Sequence, residues 1–195
     1  MKIGFLCGSF DPIHIGHIHM ISLVLNNKIV DKVVVIPTLQ NPWKKKKPLP
    51  LDIRIKMIKN DISIFGDKCE VTDIETKVEG TNYSYKTCQM IREMYKGDDL
   101  YIIAGTDVAN SIKHWKKYEE EIEPYFGVIE INRSESNPSD NGIKIDEKHI
   151  KINTFAVDVS STYVRSLIQK NLFPFPYLSM KNALFINDNK YYINT

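Results

Sequence analysis

Apolar residues fall into short unbroken runs, separated by stretches where they recur every three or four positions. One run covers residues 2–7 and is closed by Gly8; Val33-Val34-Val35-Ile36 is closed by Pro37, and residues 100–104 are closed by Gly105. Runs of that length, bounded by Gly or Pro, predict strands buried on both faces. Residues 70–74, 127–131 and 151–155 predict three more. Between them, Ile18, Ile21, Val24 and Leu25 predict a helix over 17–26 that His17 begins. Further helices are predicted from Asp52 onward, over 84–95 and over 108–122. Residues 37–50 hold four prolines and the lysine run 44–47, and residues 133–144 are polar with Pro and Gly, so both predict loops. Ser160-Ser161-Thr162 opens another helix, one short helix follows, and the chain ends in a polar tail.

Strand and helix alternate. That order predicts an α/β fold: a parallel sheet with helices on both faces, doubly wound and Rossmann-like through right-handed crossovers. Residues 156–195 add a small C-terminal helical part. A length of 195 residues without internal repeats fits one domain over 1–195. Ligands of such folds sit at the carboxyl ends of the strands, near the point where strand order reverses. Gly8, Pro37, Gly105 and Asp107 all follow predicted strand ends.

Composition narrows the class. With 43% hydrophobic and 26% charged residues the chain is an ordinary globular protein, and a net charge of +2 is too mild to argue for a nucleic-acid partner. Three cysteines without a CxxC pair argue against a disulfide framework or a structural zinc, and fit a reducing compartment. The N-terminal apolar run is too short for a signal peptide, and no apolar stretch nears the ~20 residues of a membrane helix. These features predict a soluble cytoplasmic protein with no membrane partner; they leave a homo-oligomer open. Cys7, inside a strand, is expected to be a small core residue. His19, His114 and His149 show no evident partners.

The chemistry concentrates in GSFDPIHIGH, residues 8–17. Gly8 and Ser9 leave the first strand in a small-residue turn, where backbone N–H groups can approach an anion. His14 and His17 are three apart and can point at one site at a helix N-terminus, where the dipole favours phosphate. Their imidazoles can donate to phosphate oxygens whose charge grows in a transition state, more strongly if protonated. The plainer alternative is a turn with two surface histidines. Ser160, Ser161 and Thr162 offer a cap and open amides at a second helix N-terminus, and Arg165, one turn on, can reach the same phosphates with a guanidinium fork. The plainer alternative there is a capped helix with a surface arginine. Asp107 can accept from ribose hydroxyls or cap a helix. Trp115 can stack on a flat ring or simply pack on the sheet.

GSFDPIHIGH closely resembles the signature of the HxGH nucleotidyltransferase α/β-phosphodiesterase superfamily, and within it the nicotinate-nucleotide adenylyltransferases. The resemblance continues in order through Ile36-Pro37, Asn41-Pro42-Trp43-Lys44 (with Trp43 where the family has His), Arg54 to Met57, Thr81 to Cys88, Ile103 to Asp107, Trp115 and Val159 to Arg165. It spans nearly the whole chain. It implies adenylyl transfer from ATP to nicotinate mononucleotide, giving nicotinate adenine dinucleotide and pyrophosphate. It implies His14, His17 and Arg165 as catalytic. Gly8, Ser9, Phe10, His14, His17, Gly105, Asp107, Ser160, Ser161, Thr162 and Arg165 would bind ATP. Lys44, Tyr83, Ser84 and Trp115 would bind the mononucleotide. Lys45 to Lys47 receive no role. No metal ligands are expected from the chain; Mg²⁺ would arrive with ATP, held by phosphate oxygens and water. The competing readings are an adenylyltransferase for nicotinamide mononucleotide or another phosphate, and a non-catalytic nucleotide sensor.

Overall fold

The computed structural model describes residues 1–39, 47–134, 142–155 and 157–193. Seven strands form one sheet: β1 Lys2–Gly8, β2 Lys32–Pro37, β3 Cys69–Val71, β4 Asp99–Gly105, β5 Phe126–Ser134, β6 Ile143–Asp146 and β7 His149–Phe155. Their order is β3-β2-β1-β4-β5-β7-β6, parallel throughout except for the β6–β7 pair. The fold is α/β, Rossmann-like and doubly wound, as the alternation of runs predicts. Order reverses between β1 and β4, which lie side by side with Phe5 opposite Ile102.

The helices are α1 Ile15–Asn26, α2 Leu51–Ile62, α3 Ser84–Met94, α4 Thr106–Ser111, α5 Ser161–Gln169 and α6 Met180–Asp188. They cover both faces, and the period-2 alternation of the strands divides the core between them. Val33 and Val35 join Ile21, Met57, Val164 and Ile186 on the face of α1, α2, α5 and α6. Val34 and Ile36 join Cys88, Ile91, Ile112 and Ile122 on the face of α3. Both faces bury apolar side chains, which explains why these strands read as unbroken apolar runs rather than alternating ones.

Four expectations need correction. The first helix starts at Ile15, with His14 in extended conformation as its N-cap, so His17 is its third residue rather than its first. The strand predicted over 70–74 ends at Val71; Ile74 instead opens a 3₁₀ turn, Ile74–Lys77, that buries it. The helix predicted over 108–122 is broken into α4, a 3₁₀ turn Ile112–His114, and a wide turn Tyr118–Ile122 preceded by Lys117 in the left-handed region. Ile112, Tyr118 and Ile122 are nonetheless all buried, so separate turns satisfy the apolar spacing that suggested one helix. Finally, the loop predicted over 133–144 lies largely outside the described residues; at its edges β5 runs on to Ser134 and β6 starts at Ile143, adding an antiparallel edge that its exposed, mixed sequence Ile143-Lys144-Ile145-Asp146 did not signal.

Candidate active site

A cavity of about 810 Å³ opens at the carboxyl ends of β1 and β4, where strand order reverses. Ser9, Phe10, His14, His17, Gly105, Asp107, Ser160, Ser161, Thr162 and Arg165 line it, so most of the residues picked for nucleotide phosphate and ribose contacts meet in one place. Gly8 is not among the lining residues. A side chain there would press on the Phe10 ring at 3.2 Å, so its smallness serves the turn itself.

The two histidines form a stacked pair with ring centroids 3.8 Å apart. His14 is buried, and its backbone N–H donates to Nδ1 of His17 at 3.2 Å. That bond needs an unprotonated Nδ1, which leaves Nε2 of His17 to carry the ring proton as a hydrogen-bond donor. Phe10, with φ of 45°, meets the His17 ring edge-on at 4.8 Å. Gly16 lies between the histidines for a packing reason: a Cβ would come within 3.1 Å of the His14 ring and 3.2 Å of Val159.

The second half of the cavity wall is α5. Ser160 caps it, its hydroxyl accepting from Tyr163 N at 3.1 Å. Ser161 Oγ donates to the Pro12 carbonyl at 2.9 Å, and Arg165 Nη1 donates to the Asp11 carbonyl at 2.6 Å. Arg165 Nη2 also reaches Thr162 Oγ1 at 3.2 Å. The guanidinium expected to be spent on phosphate is thus partly engaged in clamping the Asp11-Pro12 turn. Amides at the helix N-terminus and the remaining guanidinium donors are what an anion entering the cavity would meet.

Beneath this turn lies Arg54, 1% exposed. It donates to the carbonyls of Leu49 at 2.7 Å, Ser9 at 2.7 Å and Thr38 at 2.8 Å, and to Leu39 at 3.5 Å. One buried cation therefore gathers the exits of β1 and β2. Burial lowers its pKa, opposed by Asp11, Tyr192 and Glu75. Losing it would leave several carbonyls unsatisfied, each at a cost of about 1–3 kcal/mol.

Across the cavity, Asp107 is exposed on the first turn of α4. Gly105, not Asp107, occupies the N-cap position, so the capping alternative is corrected and the carboxylate is left facing the cavity. Beside it, Thr106 Oγ1 donates to Asn132 at 3.1 Å, and Asn132 donates to Asn153 at 3.0 Å. Asn132 lines the cavity, and the sequence reading missed it. Its signal was a polar residue following the apolar run 127–131, at a strand's carboxyl end.

Of the residues picked for the mononucleotide, Tyr83, Ser84 and Trp115 do not line this cavity. Tyr83 is the N-cap of α3, which Ser84 begins, and the Tyr83 and Tyr85 rings stack with centroids 6.0 Å apart. Lys116 lies over Tyr83 at 4.3 Å and Lys117 over Tyr85 at 5.1 Å, so the turn that carries Trp115 packs against this one. Trp115 itself sits in extended backbone after the 3₁₀ turn, not on a helix, and rests half-buried on the α3-side core. Cys7 connects the two places. It was expected in the core, but its side chain opens onto the cavity on the sheet face that α3 covers. It is still deep enough that burial pushes its thiol well up. Glu75, 7% exposed, holds this region together through one carboxylate oxygen that accepts from Leu39 N at 2.8 Å and from the Asn82 side chain. Lys44 lies outside the described residues; Lys47, given no role from sequence, lines the cavity. His19 reaches Thr154 Oγ1 at 3.2 Å and His149 lies 3.5 Å from Glu130, so both have partners.

A cytidylyltransferase-like family model matches residues 5–167. A relative from Aliarcobacter butzleri, named "probable nicotinate-nucleotide adenylyltransferase", is 31% identical over 89% of this chain and 91% of its own. One from Clostridium tetani with the same name is 34% identical over 84% of each. Among solved structures, a Plasmodium falciparum nicotinic acid mononucleotide adenylyltransferase in complex with NaAD superposes with a TM-score of 0.79. It covers 98% of this chain and 97% of that one at 20% identity, a likeness of fold.

Proposed function

The chain belongs to the nicotinate-nucleotide adenylyltransferase family, within the cytidylyltransferase-like nucleotidyltransferases, and from that premise we propose that its cavity joins ATP to nicotinate mononucleotide. An oxygen of the mononucleotide 5′-phosphate attacks the α-phosphorus of ATP in line. The bond from that phosphorus to the bridging oxygen breaks, and pyrophosphate leaves with nicotinate adenine dinucleotide as the other product. Both nucleophile and leaving group belong to the substrates, so the protein's work is positioning and charge stabilisation. His17, with Nε2 as donor, and Arg165 face the β- and γ-phosphates; His14 stands by the α-phosphate, and the first amides of α5 add fixed donors. Gly105 and Asp107 take the ribose. Tyr83, Ser84 and Trp115 grip the pyridine ring, with Cys7 lining the way between the two halves.

The observation that carries this reading is that GSFDPIHIGH and Ser160 to Arg165, far apart in sequence, wall one cavity at the strand-order reversal. Among the described residues no three His, Cys, Asp or Glu side chains group as a metal site. In this reading Mg²⁺ enters as part of the ATP substrate. The reading takes the whole chain as one domain and places it in the cytoplasm, in keeping with three free cysteines. The test is pyrophosphate release from ATP with nicotinate mononucleotide and, separately, with nicotinamide mononucleotide. Release with the nicotinate form supports the reading. Release with the nicotinamide form alone moves the substrate, and release with neither overturns it.

A further inference from the structure

The far end of the chain reaches back to the opening motif. Tyr192, 3% exposed, donates its hydroxyl to Oδ1 of Asp11 at 2.8 Å. The same oxygen accepts from Leu49 N at 3.1 Å, and the Asp11 carbonyl accepts from Arg165. Arg165 Nη1 also lies 3.8 Å from Oδ2 of Asp11. Asp11 is therefore the joint at which three separate segments meet: the C-terminal turn, the strand-exit loop at Leu49, and the helix bearing Arg165. Tyr192 holds its place at a backbone cost. Its φ is 68°, a region that bulky residues rarely occupy and that persists only where surrounding contacts enforce it. Here the enforcement is visible: the ring is part of the α1-side core, and the hydroxyl is spent on Asp11.

We propose that Tyr192 is a positioning residue for adenylyl transfer, fixing the Asp11 carboxylate and, through Asp11, the Arg165 guanidinium at the cavity wall. The inference rests on the phosphate role given to Arg165 above. Burial and the neighbouring Asp11 raise the pKa of Tyr192, so the hydroxyl keeps its proton and stays the donor. Without that donor, Asp11 keeps Leu49 N but loses its tie to the C-terminal turn. Its carboxylate is then free to swing toward Arg165, shifting a group whose placement matters most when charge moves to the leaving pyrophosphate. A small displacement of this kind acts on the chemical step more than on ground-state binding.

The test compares wild type, Tyr192→Phe, Asp11→Asn and the double variant in pyrophosphate release, at a temperature where circular dichroism shows all of them folded. The phenylalanine ring fills the same core space, so the fold persists. The expected result is a kcat about tenfold lower for Tyr192→Phe, with KM for ATP and for the mononucleotide each within about twofold of wild type. The double variant should be no slower than Asp11→Asn, because both changes break one chain of contacts. A Tyr192→Phe kcat equal to wild type, a loss confined to KM, or additive losses in the double variant would overturn the proposal. No turnover by the wild type removes the functional reading and this inference with it. Wild-type turnover with an unaffected Tyr192→Phe removes the inference alone.

Discussion

The two ends of the proposed substrate path, a phosphate end and a pyridine end, are built differently. At the phosphate end, charged groups are buried and tied down. Arg54 is saturated by backbone carbonyls, Asp11 accepts from Tyr192 and Leu49, and Arg165 and Ser161 both hold the 11–12 turn. At the pyridine end the rings of Tyr83 and Tyr85 lie under lysine side chains, and Trp115 is half-buried on a break between turns. The contrast suits the ligands proposed for the two ends. A polyphosphate needs donors fixed before charge develops, since donors that reorganise during the reaction give up their advantage. A flat aromatic ring needs a face to lie against, which adjustable side chains supply.

Breaking the phosphate end should therefore have the largest effect. His17→Ala removes a ring donor at the cavity and the acceptor for His14 N. We expect kcat to fall by about 10²-fold or more, the usual loss for a transition-state donor. Thermal unfolding should show a folded protein, and KM should move little by comparison. A folded variant turning over at the wild-type rate would take the histidine out of the mechanism.

The pyridine end should respond more gently and with a different signature. Trp115→Ala is expected to raise KM for the mononucleotide about tenfold, in line with losing ~0.5–1.5 kcal/mol of ring stacking beyond its apolar contact. KM for ATP should stay within about twofold. Equal rises for both substrates would mean that Trp115 supports the core of the α3 side without touching the pyridine, and the contrast between the two ends would lose its functional half.

The same contrast explains what could be read in the sequence. Phosphate sites recruit backbone amides from tight turns and helix starts, and those demand particular small or capping residues at fixed spacing. Ser160 and the Asp11-Pro12 turn are legible for that reason. So were the double-sided strands, because burial on both faces leaves no polar alternation. What stayed hidden depends on contacts between distant segments. Arg54 stood out only as the start of a family-like stretch on an amphipathic helix, with no sign that its side chain ends under the loop of Ser9. Tyr192 sat in an apparently polar tail. Asn132 differed from other strand residues only by its neighbours. The break at Lys117 was masked because Ile112, Trp115, Tyr118 and Ile122 recur every three or four residues although separate turns carry them. Cys7 read as core because the run around it is apolar, yet it stands one residue from the strand's end and meets the cavity.

Glu75 links the two ends and gives the smallest and most delicate test. Leu39, whose carbonyl leans on Arg54, and Asn82, next to Tyr83, both donate to the same carboxylate oxygen. Burial raises the Glu75 pKa above the ordinary 4.5, against the lowering effect of Leu39 N, Asn82 and Arg54. The sign of the linkage follows. Below about pH 4 the group is protonated in folded and unfolded chains alike, and its burial costs little. Between the ordinary value and the raised one, the folded state binds more protons than the unfolded state, so stability falls as pH rises through that window. Glu75→Gln keeps an acceptor oxygen for both donors and removes the charge, so it abolishes this particular slope. The melting temperature of the variant should climb relative to wild type as the pH is raised from 4 to 8. A gap that is constant across that range would show that the buried carboxylate is not taking up its proton there, and that the two ends are joined by its hydrogen bonds alone.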